Sequence, residues 1–94
     1  MDCTGISFSG HAVRKMFERR ISRDAVLMVT ASGEVIADYP DDTPYPSALL
    51  LGLPGGHPLH VVVARKPVDG TCTVVTAYRP DPTLWADDFR TRRR

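Results

Sequence analysis

The stretch from Leu59 to Tyr78, LHVVVARKPVDGTCTVVTAY, constrains this chain more than any other. Two β-branched runs, His60-Val-Val-Val-Ala64 and Cys72-Thr-Val-Val-Thr-Ala-Tyr78, flank a Pro-Val-Asp-Gly turn. Valine and threonine are stiff at χ1 and fit a pleated surface, and Asp-Gly supplies the positive φ of a tight reversal. The stretch therefore reads as a β-hairpin, and the apolar residues elsewhere need it as a wall to pack on.

Its register decides which side chains share a face. With Asp69-Gly70 alone as the turn, Val68 faces Thr71, Val61 faces Tyr78, and His60 points to the other side. With a three-residue turn, Val68-Asp69-Gly70, and a glycine bulge, Pro67 faces Thr71. His60 then lies opposite Tyr78 and Val62 opposite Thr76, with neighbours about 5 Å apart. The second register is preferred here.

Ahead of the hairpin, Ile6-Ser7-Phe8 is a short extended entry and Ser9 is an N-cap. Val13, Met16, Phe17 and Ile21 follow at amphipathic-helix spacing, so a helix is expected from His11 to about Arg20. Ser22 caps a second, short helix over Ala25–Val29, with Asp24 in its first turn and Gly33 as a left-handed stop. Glu34–Tyr39 reads as a strand and Pro40–Ser47 as an acidic loop that its prolines keep out of a sheet interior. The apolar run Ala48–Leu53 suits a central strand. After the hairpin, Thr83–Phe89 is expected to form a short helix, with Trp85 and Phe89 four apart, before an arginine tail that frays. The expected fold is α+β: two N-terminal helices, a four-stranded mainly antiparallel sheet with the helices on one face, and a short C-terminal helix. Residues 1–94 make one domain, ordered from about 7 to 90.

Totals exclude little: the chain is 43% hydrophobic and 24% charged, as in an ordinary globular protein. No apolar run approaches the roughly 18 residues of a membrane span, and no signal peptide is evident. Cys3 and Cys72 form no recognisable pair, which points to reduced thiols in a cytoplasmic protein. Charge distribution says more. From His11 to Arg23 the chain carries Arg14, Lys15, Arg19, Arg20 and Arg23 against Glu18, a local +4. Residues 37–64 carry Asp38, Asp41 and Asp42, besides one lone histidine pair, for −3. A basic helix is either the footprint of a polyanion binder or simply a solvated face.

No metal-ligand spacing, phosphate loop or serine or cysteine nucleophile motif is present, so no metal or cofactor is expected. The groups available for acid/base work are few. His60 interrupts an otherwise apolar strand; it is either a proton-transfer group or an imidazole satisfied at the edge of the core. His11 sits in a first helical turn. Arg14 and Arg19 are suited to clamping a phosphate or to pairing with carboxylates. Tyr78 and Trp85 are core aromatics or stacking surfaces.

Read in order, Ser9-x-His11-Ala12, Met16-x-x-Arg19-x-Ile21-Ser22, Gly33-Glu34-x-Ile36, Tyr39-Pro40, Leu49-Leu50-Leu51-Gly52, His60-Val61-Val62 and Thr76-Ala77-Tyr78-x-Pro80-x-x-x-x-Trp85 resemble the domain of unknown function family 4258. The resemblance covers residues 7–85. The family's general shape is in turn similar to RelE and BrnT toxins, metal-independent endoribonucleases. That similarity implies RNA transesterification by acid/base catalysis, with His60, His11, Arg19 and Tyr78 catalytic and Arg14, Lys15, Arg20 and Thr76 binding substrate. It also implies RNA or an antitoxin-like protein as partner. The alternative is a non-catalytic interaction domain, and association with a second copy belongs to that reading.

Overall fold

The computed structural model describes residues 1–93. Its elements are β1 (Gly5–Phe8), α1 (Gly10–Arg19), α2 (Arg23–Ser32), β2 (Glu34–Tyr39), β3 (Ser47–Gly52), a 3-10 turn at Pro54–Gly56, β4 (Leu59–Arg65) and β5 (Thr71–Tyr78). The strands form one five-stranded sheet in the order β1-β5-β4-β3-β2. Neighbouring pairs are antiparallel except β1 with β5, which is parallel.

This corrects the expected four-stranded sheet in two ways. The short entry Ile6–Phe8 is a full edge strand: Ile6 lies against Cys72 and Phe8 against Val74, and Ser9 Oγ donates to the Val75 carbonyl at 3.0 Å. Nor is there a C-terminal helix. Asp81 accepts from the Thr83 amide at 2.9 Å, and Asp88 accepts from the amides of Arg90 and Thr91. Only one turn forms after Asp81: the Ala86 amide donates forward to the Thr91 carbonyl at 2.8 Å instead of back to Pro82, and Asp88 holds the turn that brings Thr91 there. Phe89 is left-handed at φ 56°, and Trp85 forms a β-bridge with Arg92. Arg93 Nε reaches the carbonyls of Pro82 and Trp85 at 2.9 and 2.8 Å, while Arg90 pairs with Glu34, so the described part of the expected frayed tail is held down. The last tail residue lies outside the described residues.

The hairpin reaches its pairing by a route that sequence did not anticipate. Next to the turn, Arg65 faces Cys72, and Lys66 and Thr71 close the loop through Lys66 N–H to the Thr71 carbonyl at 2.8 Å. Four residues, Pro67 to Gly70, therefore make the loop, with Gly70 at φ 77°. Val75 is then an extra residue: Val63 pairs Val74, but Val62 pairs Thr76. This bulge restores His60 opposite Tyr78.

Alternation along β4 sends Leu59, Val61 and Val63 to one face and His60 and Val62 to the other. The first face is the core, where these residues join Ala12, Met16, Val26 and Val29 of the helices with Leu50, Val74 and Ala77. Ser9 and Ser22 cap the helices as expected, accepting from Ala12 and Ala25. The second helix is longer than its apolar stretch, ten residues ending at Ser32. Gly33 is not left-handed but extended at φ −68°. Glycine is required there by proximity, because a Cβ would stand 2.5 Å from the Val29 carbonyl oxygen.

Cys3 and Cys72 are joined as a disulfide, with Cα atoms 5.6 Å apart. Parallel pairing of β1 on β5 brings together two cysteines that are 69 residues apart in sequence. The expectation of free thiols is overturned, and with it goes the thiol argument for a cytoplasmic setting. Among the described residues no helix is long and apolar enough to cross a membrane. A cross-link closing so long a loop restricts the unfolded chain, so reducing it, or replacing both cysteines by serine, is expected to cost about 2–4 kcal/mol. Urea unfolding with and without reductant measures this; an unchanged midpoint would show that the bond constrains nothing.

Candidate functional site

The candidate residues fall into two groups on opposite sides of the sheet. On the outer face, His60 is fully buried. Its Nε2 lies 2.7 Å from the Phe89 carbonyl oxygen and its Nδ1 lies 3.2 Å from the Tyr78 hydroxyl. A carbonyl can only accept, so Nε2 carries the proton and Nδ1 accepts from Tyr78. Trp85 stands edge-on to the imidazole with ring centroids 4.5 Å apart, and Tyr78 does so at 5.3 Å. His60 is thus the peg on which residues 80–93 are fastened across the outer face. Burial disfavours the charged ring and pushes its pKa below the ordinary value, against a smaller opposing effect of the Phe89 bond. Burial likewise raises the Tyr78 pKa. Thr76 lies half-buried on the same face, opposite Val62.

The remaining residues lie on the helix side. His11 is exposed in the first turn of α1. Arg19 Nη1 donates to the Ala77 carbonyl at 2.8 Å, tying the end of α1 to β5. Lys15 pairs with Glu18 at 3.2 Å, while Arg14 and Arg20 are exposed. The structure therefore brings His60, Tyr78 and Thr76 together and keeps them apart from His11 and Arg19, with the sheet between. Both nitrogens of His60 are occupied, which leaves it no lone pair or proton facing solvent. Of the two readings of this histidine, the geometry matches the satisfied imidazole.

What sequence reasoning passed over is the outward face of α1. Phe17 was assigned to the apolar stripe, yet it is 87% exposed, and Val13 is 56% exposed. With Phe8, Met16, Ile21 and Arg23 they line a surface groove of about 350 Å³. The Arg23 guanidinium lies over the Phe8 ring, 5.8 Å from its centroid. The signal was present in the helix itself: Val13 and Phe17 are four apart, offset from the buried pair Ala12 and Met16. A stripe that wide covers more than one contact face.

A second cleft, of about 230 Å³, sits where α1 meets α2 and is lined by Arg20, Ser22, His57 and Arg79 among others. Arg79 donates there to the carbonyls of Arg19 and Arg20 at 2.8 and 3.1 Å, closing the end of α1. Among the described residues no three His, Cys, Asp or Glu side chains converge as metal ligands would.

The family described as a domain of unknown function (DUF4258) matches residues 8–79, which span β1's last residue through β5 and hold every candidate named above except the C-terminal clasp. The chain belongs to this family. No curated protein and no solved structure matches it, so the likeness to RelE and BrnT toxins has no support beyond an analogy of general shape.

The clasp has a testable pH dependence. An unfolded imidazole takes up a proton as pH falls through about 6.5, whereas buried His60 resists it until lower pH. Protonation then favours the unfolded chain, so stability contributed by neutral His60 is present above that value and declines as pH falls below it. Denaturant midpoints taken from pH 7.5 to 5.5 are expected to decline, and the decline to flatten in His60→Phe. Equal slopes for both proteins would show that His60 is not the group responsible.

Proposed function

We propose that this protein is a non-catalytic interaction domain that works through the outward face of α1. The observation that carries the reading is Phe17, a large aromatic ring left almost wholly in water beside a groove of apolar side chains. Exposed apolar side chains gathered in one place mark contact surfaces, whereas singly scattered ones do not. Aromatic residues on such surfaces are frequent anchors for a partner.

The endoribonuclease reading receives less support from the geometry. It needs a base and an acid within reach of one ribose and its phosphate. The histidines chosen for those roles lie on opposite sides of the sheet, and His60 is sealed beneath Trp85. It keeps an experimental arm nonetheless. RNA incubated with purified protein is expected to stay intact; cleavage by the wild type that is lost in His11→Ala or Arg19→Ala would reverse the preference.

For the interaction domain itself, a photo-activatable phenylalanine analogue placed at position 17 is expected to give one discrete, heavier adduct in the native host. The same group at position 68, an equally open residue on the hairpin loop (Val68, 81% exposed), is expected to give none. Adducts from both positions, or from neither, would overturn the assignment of α1 as the contact face.

A further inference from the structure

The α1 groove also carries information about the chemistry of what covers it. Arg23 lines its apolar floor, Arg14 lies three residues before Phe17 on α1, and Arg20, at the end of α1, lines the neighbouring cleft that shares Ile21 with this groove. No carboxylate lines the groove. Among the described residues none of these three arginines forms an ion pair; the acid on α1, Glu18, is held by Lys15. Glu18 and Asp24 flank the groove without lining it or pairing with these arginines, so the cations beside the apolar strip can be met from outside.

We propose that the occupant is an acidic amphipathic helix of another protein, its apolar side chains seated against Val13 and Phe17 and its carboxylates facing Arg14, Arg20 and Arg23. This rests on the interaction-domain reading above and adds the partner's class. A helix laid in a groove presents anchors at i, i+3, i+4 and i+7, and Val13 and Phe17, one turn apart on α1, offer such anchors an exposed apolar surface. Complementary charge sets the choice of partner and the approach rate more than the final affinity.

Two other occupants fit less well. A second copy meeting α1 against α1 about a two-fold axis would set like arginines against one another at a face with local charge +4. Single-stranded RNA would satisfy the arginines, but stacking needs open aromatic faces. Here Phe17 offers a single open ring among the non-aromatic side chains Val13, Met16 and Ile21, and the Phe8 ring is already covered by Arg23, so successive bases have no second platform.

The test uses the whole protein and four labelled probes read by fluorescence anisotropy. They are a helical peptide with leucine at i, i+3, i+4 and i+7 and glutamate elsewhere, its lysine-for-glutamate twin, a leucine-free glutamate-rich peptide, and a single-stranded RNA oligomer. The first is expected to bind, and the others to bind at least roughly tenfold more weakly. Phe17→Ser and Arg23→Glu are each expected to weaken the first probe by roughly tenfold or more, and salt at about 0.5 M to weaken it further. Both positions are exposed, so the variants are expected to unfold at the wild-type denaturant midpoint. Equal binding of the acidic and basic peptides, or tighter binding of the RNA, would overturn the proposal. So would binding indifferent to Phe17→Ser, or a concentration-dependent doubling of mass in light scattering that Phe17→Ser removes. If the acidic peptide fails while position 17 still yields its discrete adduct, the partner's class is wrong and the contact face stands. If both fail, the interaction-domain reading falls with it.

Discussion

The arrangement depends first on how β5 lies along β4. One extra residue, Val75, shifts the pairing between Val63 and Val62, and everything beyond it is moved by one place. Without that shift the end of β5 would present its other face, and Tyr78 would point into the helix layer instead of meeting His60. The bulge also leaves the Val75 carbonyl unclaimed by the ladder with β4, and the Ser9 hydroxyl takes it up at 3.0 Å. The start of α1 and the direction of Tyr78 are thus set by the same irregularity.

From this follows a division of labour between the two faces. The helix face is closed by aliphatic packing, while the outer face holds a buried imidazole with both nitrogens satisfied and residues 80–93 strapped over it. Such a polar contact in an apolar setting contributes little net stability when complete and costs much when broken. It therefore fixes where the strap lies more than how stable the sheet is.

Much of this was legible in the residues. The helix caps Ser9 and Ser22, the strands β2 to β5 and the partnership of His60 with Tyr78 all follow from periodicity and turn chemistry. The loop itself was misjudged: a four-residue turn plus a bulge gives the same final pairing as a three-residue turn, so the end result concealed the path. Strand β1 was undervalued because a four-residue segment carries almost no periodic signal, and its pairing with β5 depends on residues 66 positions away. The C-terminal helix failed because the Ala86 amide pairs with the Thr91 carbonyl across a turn held by Asp88, a contact that a count of apolar spacings ignores. For the candidate site, spacing placed His11, Arg19 and His60 in sequence but could not say on which side of the sheet each would stand. Phe17 looked like core because a helical pattern identifies an apolar stripe and not the width of the surface beneath it.

The parallel seating of β1 on β5 has a consequence for how the chain comes together. α1 packs chiefly on β5, and β1 finds its hydrogen-bond partner only there. A chain elongating from its N-terminus carries both through synthesis without their support, since residue 71 must be made before either has a place to dock. Contacts so distant in sequence demand loop closure before they return any stabilisation, and this slows folding. β1 and α1 are therefore made well before the strand that gives them a place in the fold.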